Sequence, residues 1–249
     1  MMKKRRILII RITLLVGTII SLFFVPWILV MAWVLPLPDT IQEQVDEAIA
    51  SGFDGMIVYV DEAGKPPVFY TGGWKDRVNR KPADSNSLFK IASISKLYTA
   101  VAVTKLAKEK RLLLDAPITD YLPELKGRIA NSEKITLKMM VQHRSGIPNF
   151  TDNPAYWQNE IESDHEALNF ALDLPPSFDP DEGYQYSNTN YLLLRNIMDK
   201  VLGYSHHQYI KDKILIPLEL NNTYFSLNEV NLNNVMSGLT WSTKIDQPS

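Results

Sequence analysis

The pattern of apolar and polar positions changes character several times along this chain, and each change predicts a different element. From Ile12 to Val34 there are 23 consecutive uncharged residues, mostly Ile, Leu, Val and Phe, preceded by Lys3-Lys4-Arg5-Arg6. Such a run is long enough to cross a bilayer as one helix, with its basic flank on the cytoplasmic side. Trp27 and Trp33 fall towards its far end, where indoles favour the membrane interface. The alternative is a secretory signal, because Val30-Met31-Ala32 has the small-residue spacing of a cleavage site near Ala32. Pro26-Trp27-Ile28-Leu29 speaks against cleavage, being apolar where a polar segment is usual. Both readings export the rest of the chain. The expected organisation is a basic cytoplasmic stub and transmembrane anchor over residues 1–38, with residues 39–249 outside the cytoplasm.

Beyond Pro36-Leu37-Pro38 the period becomes helical. Ile41, Val45, Ala48 and Ile49 form one stripe, with Asp39 or Thr40 placed to cap it. Gly55–Val60 and Val68–Thr71 are β-rich runs around a turn containing Gly64, Pro66 and Pro67, and predict a hairpin. A helix is expected from about Ser93 to Lys110, with Leu97, Ala100, Val101 and Thr104 on one side. Its last turn gathers Lys108, Lys110 and Arg111, which favours the helix dipole. Prolines at 117, 123, 148, 154, 175, 176 and 180 break residues 112–180 into short helices and loops. A further helix runs from about Asn190 to Leu202 and stops at Gly203, and another runs from near Ser205 to before Pro217. Asn221–Ser249 is polar and weakly patterned.

Composition sharpens this picture in two places. The formal charge of −2 hides an asymmetry, since residues 39–249 carry 21 basic and 28 acidic residues and sum to −7. An acidic body argues against nucleic acid as a partner, because phosphate binding needs a basic surface. There is no cysteine, which excludes disulfides, thiolate metal sites and a cysteine nucleophile. His143 and His165 are isolated and His206-His207 are adjacent, so they would point to different helix faces; no metal or cofactor is expected.

The candidate chemistry begins at Ser93 and Lys96, three apart at a helix start and therefore on one face. An amine beside a hydroxyl can activate a serine without histidine. S-x-x-K is a cheap pattern, and the chain has a second copy in Ser87-Leu88-Phe89-Lys90, within a polar turn that need not bring its ends together. Taken alone, Ser93 reads as an N-cap, Tyr186 as a core-edge aromatic and Asn188 as a helix cap. Tyr186 is nevertheless the one tyrosine of eleven with asparagine two positions on, and it sits just before a helix.

Three blocks together are more specific. Phe89-x-Ile91-Ala92-Ser93-x-Ser95-Lys96, then Gln142-His143-x-Ser145-Gly146-Ile147-Pro148, then Tyr186-Ser187-Asn188-x-x-Tyr191-x-Leu193-Leu194 follow in that order. With Asp115-x-Pro117 and Tyr121-Leu122-Pro123, they resemble the serine β-lactamase-related family, which includes class C β-lactamases, D-alanyl-D-alanine carboxypeptidases and related esterases. The resemblance covers roughly residues 40–227. It implies an α+β, β-lactamase/transpeptidase-like fold, with an antiparallel sheet flanked by helices and a helical subdomain. It implies Ser93 as the nucleophile of an acyl-enzyme, a desolvated Lys96 and Tyr186 as proton acceptors, and Asn188 as a ligand of the substrate amide. The Ser93 N–H would form half of an oxyanion hole. The implied substrates are peptidoglycan peptides, β-lactams or small esters and amides, and His143 is left with a packing role.

The chain departs from the family in three respects. The family's third element, a Lys or His, one residue, then Gly, has no match after Asn188: the only glycines there are Gly203 and Gly238, with Val201 and Met236 two positions before them. The final strands and closing helix are missing too, so the expectation is a C-terminally truncated member with a half-built sheet. Asp181 and Glu219 stand where related sequences often have glycine. The alternative to a working hydrolase is thus a catalytically impaired family member with a binding role or no independent role.

Overall fold

A computed structural model of the protein describes residues 2–238. The part of the expected polar tail from residue 239 to 249 lies outside the described residues. The chain divides into two units, residues 1–87 with 234–249, and residues 88–233.

In the first unit the expected single transmembrane helix over residues 12–34 is not formed. Two helices take its place, α1 (Met2–Leu22) and α2 (Trp27–Val34). The physical cause is Pro26, which has no N–H to continue the ladder and disfavours helical geometry in the residue before it. The Trp27 indole N–H donates to the Leu22 carbonyl at 2.9 Å, which fastens the break. α1 also reaches back over Lys3, Lys4, Arg5, Arg6 and Arg11, and α2 has only 8 residues. Among the described residues no helix is long and apolar enough to cross a membrane.

Helix α3 (Ile41–Ala50) starts at a capping box. The Thr40 hydroxyl accepts the Glu43 N–H at 3.2 Å and the Glu43 carboxylate accepts the Thr40 N–H at 3.1 Å, so Thr40 and not Asp39 is the cap. Strands β1 (Gly55–Val60) and β2 (Val68–Asp76) form the antiparallel hairpin, with Gly55 opposite Gly73 and Val60 opposite Val68. Strand β2 continues past the expected end at Thr71 and pairs with a short β3 (Lys81–Pro82), giving the order β1-β2-β3. Gly72 lies inside β2 for packing: a Cβ would lie 2.7 Å from Val45 Cγ1 of α3.

The second unit is helical. A 3₁₀ turn, Ala92–Ile94, leads into α4 (Ser95–Lys108), so the helix begins two residues after Ser93. Short 3₁₀ turns, α5 (Leu137–Val141) and α6 (Asp164–Asn169) fill the proline-broken region. Helix α7 (Asn188–Leu202) ends at Gly203, whose φ of +75° suits a residue without Cβ. Helix α8 (His206–Ile210), capped by the Ser205 hydroxyl, runs on as one π turn over Lys211–Leu215.

Helix α7 is the axis of the core. Leu192, Leu193, Leu194, Ile197 and Met198 are buried to 1% exposure or less, packed with Ala102, Val103 and Leu106 of α4 and with Leu137 and Met140 of α5. Each such side chain contributes about 1.5–3 kcal/mol by leaving water. The two ends that matter for chemistry, the start of α4 and the start of α7, are thus fixed by one apolar core. Both unusual residues, Asp181 (φ +69°) and Glu219 (φ +56°), lie on left-handed backbone, which explains why glycine suits those places. At Asp181 the strain is offset by Arg144, whose Nε donates to Asp181 Oδ1 at 2.5 Å.

Candidate active site

Ser93, Lys96, Tyr186 and Asn188 are brought together within the helical unit. Ser93 Oγ and the Tyr186 hydroxyl share a hydrogen bond of 2.8 Å. Lys96 Nζ donates to Ser93 Oγ at 3.2 Å and to Asn188 Oδ1 at 2.7 Å. The same ammonium lies 4.9 Å from the centroid of the Tyr186 ring and 5.8 Å from that of Tyr191. Among the described residues no carboxylate forms a salt bridge with Lys96. Its neighbours are neutral oxygens and aromatic faces.

Each side chain is placed by its own local structure. Ser93 lies in the 3₁₀ turn that opens α4, after Ala92, whose φ of +44° is unusual for a residue with a Cβ. Within that turn the Ile94 N–H donates to the Ile91 carbonyl at 3.0 Å and the Ser95 N–H to the Ala92 carbonyl. Lys96 follows one turn on and is half-buried, less desolvated than the family resemblance implies. Asn188 is the first residue of α7 and does not cap that helix; its side chain points to Lys96 and donates from Nδ2 to Thr151 Oγ1 at 3.1 Å. The Ser87 of the second S-x-x-K donates instead to Asp84 at 3.1 Å.

Several supporting residues lie outside the sequence blocks or have no role assigned from them. Asn149 Oδ1 accepts the Asn188 N–H at 3.0 Å, and its Nδ2 donates to Thr151 Oγ1 and to Asp152 Oδ1, both at 2.7 Å. Ser145 donates to Asn190 Oδ1 at 2.7 Å, and Thr189 donates to the Pro148 carbonyl at 2.7 Å. The block from Gln142 to Pro148 is therefore a clamp on the first turn of α7. Gly146 is required in it, because with φ +73° a Cβ would lie 2.1 Å from the Phe178 carbonyl oxygen. Tyr191, buried behind Lys96, donates its hydroxyl to the Val141 carbonyl at 3.0 Å.

The electrostatics favour an ionisable phenol. Burial pushes the Tyr186 hydroxyl up, but hydrogen bonding to Lys96 and Ser93 and the charge of Lys96 outweigh it, and the group sits below the ordinary phenol value. Tyr191 shifts the opposite way, raised by burial and by its neighbours Tyr186 and Tyr184. The two phenols beside Lys96 are thus shifted in opposite directions. A cavity of about 370 Å³ opens between Pro148, Asn149, Asp152, Phe170, Leu174 and Gln185, and Ser93, Lys96, Tyr186 and Asn188 do not line it.

A serine hydroxyl shared between a lysine amine and a tyrosine phenol, at the head of a buried helix, defines the β-lactamase/transpeptidase-like class of serine proteins. The chain belongs to the β-lactamase family, whose model matches residues 38–246. Among curated relatives, penicillin-binding protein 4* of Bacillus subtilis (strain 168) is 29% identical over 175 residues, covering 69% of this chain and 38% of that protein. Among solved structures, D-amino acid amidase from Ochrobactrum anthropi SV3, complexed with L-phenylalanine amide, superposes with a TM-score of 0.74 at 25% identity. The match covers 84% of this chain and 60% of the amidase. The octameric penicillin-binding protein homologue from Pyrococcus abyssi gives a TM-score of 0.71 at 28% identity, covering 84% of this chain and 50% of its own. The chain thus spans well under half the length of that curated relative, and about half to three-fifths of these solved structures.

Proposed function

We propose that this protein is a serine hydrolase that forms an acyl-enzyme at Ser93 on peptidoglycan peptides, β-lactams or small esters and amides. The observation that carries this reading is the position of Ser93 Oγ, 2.8 Å from the Tyr186 hydroxyl and 3.2 Å from Lys96 Nζ. Both lie within the reach a general base needs. Tyr186, as phenolate stabilised by the Lys96 charge, accepts the Ser93 proton while Oγ bonds to the substrate carbonyl carbon. The oxyanion that forms faces the Ser93 N–H at the helix start. On collapse the bond to the leaving group breaks, and that group takes the proton back from Tyr186. Water then enters the same position; its oxygen bonds to the acyl carbon as its proton passes to Tyr186, and on collapse the bond to Ser93 Oγ breaks, Oγ takes the proton back from Tyr186 and the acid leaves.

Asn188 holds the Lys96 ammonium against the serine and offers its amide to the acyl substituent. An amidase and penicillin-binding proteins among the similar proteins support amide-type substrates. The test is acylation of the full chain by a fluorescent penicillin, followed by intact mass, with Ser93→Ala alongside. A Ser93-dependent adduct is expected; a folded sample without one refutes the reading.

A location at the outer face of the cytoplasmic membrane belongs to the same proposal. Its support is the basic stub followed by apolar side chains that stand in the open, Phe23 at 83%, Phe24 at 82% and Trp33 at 91% exposure. Alkaline extraction of cell membranes tests it, and release of the intact chain into the soluble fraction would rule it out.

A further inference from the structure

His143 occupies a place where local backbone chemistry asks for glycine. Helix α5 ends in a Schellman pair: the His143 N–H donates to the Met140 carbonyl at 3.2 Å and the Arg144 N–H to the Met139 carbonyl at 2.8 Å. The position after the cap must then be left-handed, and His143 adopts φ +58°. A residue with a Cβ costs about 1–2 kcal/mol more there than glycine. Strain of this kind, kept beside a reactive group, points to a role for the side chain.

The contacts show what that role is. The carbonyl of His143 accepts the Gln185 N–H at 3.0 Å, and its Nδ1 accepts the Ser187 N–H at 3.1 Å. The N–H groups of the two residues on either side of Tyr186 are thus both tied to this one residue. The ring also lies 4.6 Å from the Tyr186 ring at a tilt of 31°, and 5.2 Å from that of Tyr191. The imidazole is buried, 8% exposed.

We propose that His143 is the positioning residue for Tyr186, a neutral imidazole whose unprotonated Nδ1 fixes the Ser187 amide and whose face sets the phenol over Ser93. This rests on the reading of Tyr186 as the proton acceptor. Because Nδ1 accepts, the ring proton resides on Nε2. A proton on Nδ1 would set a donor against the Ser187 N–H and free the Tyr186 segment. The groups that face the ring are Lys96 from α4, Tyr191 from α7, and Tyr184 and Tyr186 from the loop; Arg144, next in sequence, is paired with Asp181. No carboxylate among them rewards an imidazolium. Burial, and after it the Lys96 charge, hold His143 below the ordinary histidine value, so the neutral form prevails near neutral pH.

Two measurements decide this on the full chain. Nitrogen-15 histidine spectra, with only four histidines to resolve, should show His143 as the Nε2–H tautomer at pH 7 and its signals displaced in Tyr186→Phe. An Nδ1–H tautomer overturns the proposal. His143→Gly relieves the backbone, which offsets part of the loss of the buried ring and of the Ser187 N–H acceptor, so it should keep the fold with a melting temperature lowered by only a few degrees. It should also slow Ser93 acylation on the order of tenfold to a hundredfold through misplacement of Tyr186. His143→Asn tolerates the left-handed backbone and retains an acceptor for the Ser187 N–H. It should restore most of the rate and remove the His143 step from the acidic limb of the pH–rate profile. A His143→Gly protein that acylates like wild type refutes the proposal, as does an Asn variant no faster than Gly. If wild type is not acylated at Ser93, the hydrolase reading fails by itself, and the tautomer still decides the contact with Tyr186.

Discussion

Removing one oxygen from Tyr186 isolates the chemistry from the fold. In Tyr186→Phe the ring keeps its face against His143, 4.6 Å away, but Ser93 Oγ loses its 2.8 Å partner and is left with Lys96 Nζ at 3.2 Å. The lost hydrogen bond is at a residue 39% exposed, so it contributes at most about 1 kcal/mol to stability. For a chain of this size that is a change of about 2–4 °C in melting temperature. The kinetic effect is larger, because general-base assistance supplies about 10²–10⁴-fold, or roughly 3–5 kcal/mol of barrier. The assay is single-turnover acylation by a fluorescent penicillin, read by intact mass, with thermal unfolding of the same sample by circular dichroism. An acylation rate close to wild type would show that Lys96 alone takes the proton. A fall in melting temperature beyond about 10 °C would show that the hydroxyl is a structural group.

Three further outcomes are expected. Asn188→Asp places a carboxylate about where an oxygen now sits 2.7 Å from Lys96 Nζ, forming an ion pair that draws the ammonium away from Ser93 and Tyr186. Acylation should fall about tenfold or more, and an unchanged rate in the penicillin assay would contradict the role given to Lys96. In wild type the acylation rate should rise with pH as Tyr186 ionises, since the phenolate is the active form and its pKa is held below the ordinary phenol value of about 10. The midpoint of that limb should fall below 10, and a midpoint at or above 10 would refute the base assignment. Gly146→Ala forces a Cβ to 2.1 Å from the Phe178 carbonyl oxygen at φ +73°, which should cost at least about 2 kcal/mol in urea melts. Because the same loop carries Asn149 beneath Asn188, acylation should fall with stability; a stable, active variant would show that the loop does not clamp the site.

Legibility in the sequence tracked how local each feature is. Helix α3, the hairpin, α7 and the stop at Gly203 follow from apolar period and turn residues, and each formed close to where the pattern places it. The run from Ile12 to Val34 misled because hydropathy averages over Pro26, whereas the backbone ladder does not. Strand β2 runs past the β-rich residues Val68–Thr71 because Gly72 pairs within it while its missing side chain makes room for α3. Asn149 and Thr151 are ordinary loop residues until the loop is seen against the first turn of α7. The lone histidine in that loop reads as packing for the same reason.

The sequence by itself determined the family, through blocks whose order and residue types recur together, and it named Ser93, Lys96, Tyr186 and Asn188 as the candidate group. Spacing alone puts Lys96 beside Ser93, because a helix returns to the same face every three to four residues. Tertiary structure decided the rest. Tyr186 and Asn188 are 90 or more residues away from Ser93 and Lys96, and only the shared core of α4 and α7 brings them within hydrogen-bond distance. It also decided which phenol is acidic, because a pKa follows from the charges and burial around a group and not from its place in the chain.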